Sequence, residues 1–86
     1  MRKRCRHDII ETILEAVRDG RRGLTEICTY AGIPVDRGKK IMELLVRYGL
    51  LVSIWEKRRE IFEITPRGYE WLGIYRSLES MLPTRE

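Results

Sequence analysis

The sequence predicts one small, mainly α-helical domain with a short β-hairpin inserted before its last helix. Three observations predict it. Apolar residues recur at the three-and-four spacing of amphipathic helices along most of the chain. After Gly49 that period gives way to two strand-like runs, LLVSIW at Leu50–Trp55 and IFEI at Ile61–Ile64, on either side of a charged connection. The second and third helical stretches are separated only by a short turn containing Gly32. At 86 residues the chain allows a single domain, and a domain of that size has a limited core and often gains stability by oligomerising.

The elements follow in order. Residues 1–7 form a basic tail containing RKRCR. Asp8 reads as an N-cap with Glu11 three residues on, a capping box, although the helix can begin earlier. Ile9, Ile10, Ile13, Leu14 and Val17 make a broad apolar stripe as far as Arg18. DGRRG, with Gly20 and Gly23 around two arginines, is a turn with no further role assigned. Leu24, Ile27, Cys28 and Ala31 define the second helix, and Gly32 supplies the left-handed cap that ends it. Ile33 is expected to plug the angle between the two helices. Pro34 opens the third, over 34–48, with Ile41, Leu44, Leu45 and Tyr48 facing inward. Two helices at a steep angle across a short glycine turn are a helix-turn-helix unit, whose second helix is the one that would enter a DNA groove.

Gly49 caps the third helix, and the hairpin follows with its connection at 56–60, lacking an Asn-Gly or Asp-Gly tip. Thr65 is an N-cap and Pro66 a first-turn residue for the last helix, which runs to about Met81, or about 24 Å at 1.5 Å per residue. The predicted domain spans 8–82, its last helix lies within 66–82, and 83–86 are a tail begun by Pro83.

Charged residues make up 35% of the chain and the formal net charge is +4. The pI is near 9.4, which is compatible with a polyanionic partner. Arginine outnumbers lysine about three to one and there is no Asn or Gln, a composition that points to a hot-living source. Cys5 and Cys28 lack metal-type spacing and are expected to remain thiols, with Cys28 a small buried hydrophobe. No apolar run approaches a membrane span, and the basic start leads into an amphipathic helix rather than a signal-peptide core, so a cytoplasmic location is expected. His7 is the single histidine and has no partner set for metal binding or nucleophilic catalysis. The carboxylates alternate with basic residues, and no glycine-rich phosphate loop follows a strand. No enzyme activity, cofactor or small-molecule ligand is expected.

Two phrases carry a family resemblance. YGLL at Tyr48–Leu51 resembles the close of the recognition helix and the start of the wing in winged-helix proteins. FEITPRG at Phe62–Gly68 resembles their passage from the wing into the last helix. Together, at this spacing, they resemble MarR-like and PadR-like regulators and small archaeal winged-helix proteins, from about Asp8 to Met81. The resemblance implies a winged helix-turn-helix made of three helices, a two-stranded wing and a C-terminal helix. It also implies that helix three lies in the major groove of double-stranded DNA while the wing touches the backbone. The groove-facing candidates are then Arg37, Lys39, Lys40 and Arg47, and the wing candidates are Lys57, Arg58 and Arg59. The wing is short, which favours phosphate contact over deep minor-groove insertion.

Asp36 and Glu43 are interleaved with the groove-facing cations. Glu43 either repels phosphate or accepts from a cytosine amino group. The 57–59 cluster, flanked by Glu56 and Glu60, is either a DNA contact or a solvated turn. Arg2, Lys3, Arg4 and Arg6 form either an arm that follows DNA or a solubilising start. The expected function is a dimeric transcriptional regulator of the nucleoid. The alternatives are a non-specific chromatin protein and a protein-interaction module without DNA contact.

Trp71, Tyr75, Leu78 and Leu82 lie four, three and four apart, one continuous stripe, while Tyr69, Leu72 and Met81 fall on other sides, so the helix is apolar on more than one face. Some small archaeal winged-helix proteins dimerise through this helix. Trp71, Tyr75, Leu78, Met81 and Leu82 are accordingly the expected homodimer interface; the alternative is that both apolar faces pack within one chain.

Overall fold

The amphipathic periods are realised as helices in the computed structural model of this protein, which describes residues 6–81. The order is α1 (Arg6–Arg18), α2 (Leu24–Ala31), α3 (Val35–Arg47), β1 (Leu51–Glu56), β2 (Arg59–Ile64) and α4 (Pro66–Met81). This is a mostly helical fold with a two-stranded antiparallel hairpin, as the sequence predicts. The candidate arm at Arg2, Lys3 and Arg4, together with Cys5 and Leu82, lies outside the described residues.

The α1 stripe is buried throughout: Ile9, Ile10, Ile13, Leu14 and Val17 meet Ile27 and Ala31 of α2, Met42 and Leu45 of α3, and Leu51, Phe62 and Leu72. Ile13 and Leu14 are fully enclosed. Truncating either to alanine would cost roughly 2–5 kcal/mol. A domain of this kind has only about 5–15 kcal/mol in hand, so α1 is the element on which the others are assembled. Gly32 ends α2 at φ 72°, its N–H returning to Cys28 and Thr29 carbonyls, and Ile33 packs half-buried against the core as expected.

Three expectations are corrected. Asp8 does not cap α1: the helix is already formed at Arg6, and Asp8 is buried within its first turn. Its carboxylate accepts the Tyr75 hydroxyl of α4 at 2.7 Å, so a tertiary hydrogen bond claims the oxygen that a cap would use. Glu11 likewise turns to Arg76 of α4, at 3.7 Å. Tyr48 does not face inward but is 59% exposed. The buried stripe of α3 is Gly38, Ile41, Met42 and Leu45, which puts Leu44 and Tyr48 on a flank. There they line an open cavity of about 570 Å³ with His7, Arg67 and Trp71.

DGRRG, finally, is more than a turn. Gly23 forms an antiparallel bridge with Ile61, and the Phe62 N–H donates to the Arg22 carbonyl at 3.0 Å. Arg22 pairs with Glu63 at 2.5 Å. The segment before α2 therefore stitches the hairpin onto the helices.

Thr65 caps α4 as predicted. Its Oγ1 accepts the Gly68 N–H at 3.1 Å and donates to the Gly49 carbonyl at 2.6 Å. Gly68 sits where the helix passes the start of the hairpin: a Cβ there would stand 2.4 Å from the Leu50 carbonyl oxygen. One threonine thus ties together the end of α3, the exit of the hairpin and the start of α4.

Candidate nucleic-acid interface

The hairpin closes more tightly than expected. Glu56 pairs with Arg59, so the turn is only Lys57-Arg58, and both residues take positive φ, 51° and 66°. Both are exposed. Arg59 belongs to β2 rather than to the tip. Its guanidinium lies over Gly23, where a Cβ would stand 2.6 Å from Nη2. The three expected wing cations therefore divide into two at the tip and one laid back against the start of α2.

On α3, Arg37, Lys39, Lys40 and Arg47 are all exposed. With 3.6 residues per turn, Lys40 and Arg47 fall opposite the buried stripe and share that outward face with Asp36 and Glu43. Arg37 and Lys39 fall on opposite flanks. Lys39 is on the hairpin side, where it lines a cavity of about 170 Å³ with Glu43, Ser53, Glu60 and Phe62. Arg37 is on the far flank with Leu44 and Tyr48. The outward face is thus mixed in sign, with cations along both borders.

Among the described residues these side chains lack anionic partners, as do Arg21 and Arg67, whereas three other arginines are paired. Arg18, Arg22 and Arg76 are held by Asp19, Glu63 and the pair Glu11 and Glu15. Arg21 lies over the Tyr30 ring at 4.1 Å. Among the described residues, none of Arg37, Lys39, Lys40, Arg47, Lys57, Arg58 or Arg59 forms an ion pair. They are exposed on α3 and the wing, two elements that adjoin where Lys39 and Glu43 face Ser53 and Glu60.

On α4 the expected interface stripe divides. Trp71 and Tyr75 are half-buried and stacked at 5.0 Å, with the His7 ring at 6.3 and 6.1 Å from them. Leu78 is 52% exposed, as is Ile74 at 56%. The Met81 side chain, like Leu82, lies outside the described residues. Ile74 is absent from the stripe read in the sequence, although it sits four residues before Leu78. Among the described residues no group of His, Cys, Asp and Glu side chains could hold a metal ion, and no helix is long and apolar enough to cross a membrane.

The winged helix-turn-helix family profile matches residues 3–82. This chain belongs to that family. Among solved structures, it is similar to Sso10a-2, a DNA-binding protein from Sulfolobus solfataricus, with a TM-score of 0.78 and 28% identity over 91% of this chain and 81% of that one. BldR, a transcriptional regulator from the same organism, matches with a TM-score of 0.71 and 21% identity over 88% of this chain and 60% of its own. MepR, a transcription regulator of a Staphylococcus aureus multidrug efflux pump, matches with a TM-score of 0.76 and 13% identity over 87% of this chain. The chain spans 58% of MepR, so with both regulators the likeness is one of fold. The two Sulfolobus proteins agree with the archaeal likeness seen in the sequence. No curated protein sequence matches the chain.

In this winged helix-turn-helix, α3 stands in the place of the recognition helix, and β1 and β2 form the wing. The fold is that of DNA-binding transcription regulators. Trp55 escaped the sequence reasoning: a strand-like run explains its presence but not its exposure.

Proposed function

We propose that this winged-helix protein binds double-stranded DNA as a homodimer and acts as a transcriptional regulator in the cytoplasm, on the nucleoid. The observation that carries this is the set of exposed cations without anionic partners on two adjoining elements, α3 and the wing. The major groove is about 12 Å wide and admits one helix. With α3 in it, Lys40 and Arg47 face the base edges together with Asp36 and Glu43. Arg37 and Lys39 face the two phosphate walls, and Lys57 and Arg58 reach the neighbouring backbone. Phosphate contacts set position and affinity, whereas base contacts carry sequence information. The similarity to Sso10a-2, described as a DNA-binding protein, supports the polyanion as partner. Exposed Ile74 and Leu78 on α4 support a second copy, and two-fold pairing would present two recognition helices to one duplex.

A titration of random and genomic duplexes at two salt concentrations tests this. Each phosphate neutralised contributes roughly −0.9 to the slope of log affinity against log salt. Equal affinity for every duplex, with a steep slope, would identify a non-specific chromatin protein instead. Absence of binding at low salt would leave the protein-interaction module.

A further inference from the structure

Of the two large apolar side chains that the wing exposes, Val52 and Trp55, the indole is the one that the fold leaves more open. Trp55 is 70% exposed, the highest exposure of any large hydrophobic residue described. Residues directly opposite each other across an antiparallel pair share a face, as do alternate residues along a strand. Trp55 pairs with Glu60, Ser53 with Phe62 and Leu51 with Ile64, so these six form one face. Leu51 and Phe62 enter the core at its base. Ser53, Glu60 and Phe62 then look across the groove at Lys39 and Glu43 of α3. Trp55 stands one step further out on that same α3-facing side, with only Glu56 between it and the Lys57-Arg58 tip.

Glu60 is the carboxylate directly across the strand pair from Trp55, on the same face. It accepts the Ser53 hydroxyl, which draws it toward the base of the wing and away from the tip. Glu56 is on the opposite face, with Arg59. The edge that faces α3 therefore ends in an indole followed by two cations, without a carboxylate held at the tip on that side.

We propose that Trp55 is a contact for double-stranded DNA, packing its ring on the sugar–phosphate strand that passes between α3 and the wing. This rests on the DNA-binding function proposed above and adds a residue to it. The indole suits that strand chemically. Its apolar face can cover the C–H surface of deoxyribose, and its N–H can donate to a phosphate oxygen. The ring is neutral, so it adds affinity without releasing counterions.

That last property separates it from its neighbours. Trp55→Ala should weaken duplex binding about tenfold, or 1.4 kcal/mol, with the slope of log affinity against log salt unchanged. Arg58→Ala should flatten that slope by roughly 0.9. In parallel, the full chain labelled with 5-fluorotryptophan gives one ¹⁹F signal for Trp55 and one for Trp71, assigned with Trp55→Phe. On saturation with a duplex, followed by anisotropy of a dye on the DNA, the Trp55 signal should shift and lose its solvent isotope effect. An anisotropy rise with an unmoved Trp55 signal and full affinity in Trp55→Ala would overturn this inference alone. No anisotropy rise at low salt would overturn the DNA-binding proposal and this inference with it.

Discussion

The sulfur of Cys28 occupies the space that a side chain on Gly38 would need: a Cβ at Gly38 would stand 2.1 Å from Cys28 Sγ. This contact sets how closely α2 approaches α3, and so the angle at which the recognition helix leaves the domain. Gly38→Ala would favour the isolated helix by roughly 1 kcal/mol, but overpacking costs about 1–3 kcal/mol and should win. Urea denaturation should therefore show a net loss of stability for Gly38→Ala, and a smaller loss when Cys28→Ala is also present. Equal losses in both backgrounds would show that the two side chains are not coupled.

Burial also governs the chemistry of Cys28. The thiol is 1% exposed, and burial pushes its pKa above the ordinary value. In the variant Cys5→Ser, where Cys28 is the sole thiol, a disulfide reagent should label it only as fast as the domain opens. The linkage follows from the direction of the shift. Because the folded pKa is the higher, the unfolded chain loses its proton first, and this contribution to stability is complete below the unfolded thiol's pKa. It declines as pH rises from there through the folded pKa. A melting temperature in Cys5→Ser that falls no faster with alkaline pH than in Cys5→Ser with Cys28→Ala would contradict that sign.

Thr65 offers a cleaner measurement of a cap. Thr65→Ala removes the acceptor for the Gly68 N–H and the donor to the Gly49 carbonyl, and should cost about 1 kcal/mol. Thr65→Ser keeps both groups and should recover most of it. Thermal melts of the three proteins decide the matter: a serine variant no better than alanine would mean that packing of the threonine methyl, not the hydroxyl, is what stabilises this junction.

The α4 surface gives the test of assembly. Burying Leu78 on a second copy would contribute roughly 1.5–3 kcal/mol per chain, and Ile74 lies beside it one turn earlier. Leu78→Glu should yield a folded monomer that binds a duplex more weakly. Light scattering over a dilution series provides the readout, and a monomer for the unmodified protein at high micromolar concentration would return Leu78 to the role of a solvated surface residue.

The helices and the hairpin were legible in the sequence because they are written in local periods, punctuated by Gly32, Gly49 and Thr65-Pro66. The residues that went astray depend on contacts distant in the chain. Asp8 looks like a cap until Tyr75, sixty-seven positions away, takes its carboxylate. Gly23 looks like a plain turn residue until Ile61 bridges to it. The buried stripe of α3 keeps Ile41 and Leu45 but lies a fraction of a turn from the one that hydropathy marks, because a glycine carries no hydropathy. Gly38 belongs to the buried side, since the helix must bring its bare backbone against Cys28, and that choice turns Met42 inward and Tyr48 out. The cations on α3 and the wing were all identifiable by type. That Arg59 lies back on Gly23, and that Arg37 and Lys39 flank opposite borders, required the fold.

The two-residue turn at Lys57-Arg58 has a cost as well as a use. Both residues hold a left-handed backbone that asparagine or glycine enters readily and that other side chains adopt at about 1–3 kcal/mol each. A sequence tuned only for the hairpin would place Asn-Gly there. Keeping a lysine and an arginine instead leaves the wing in tension between conformational ease and electrostatic reach. Substituting Asn-Gly would make this the rare surface change that raises the melting temperature while diminishing the capacity to hold a polyanion.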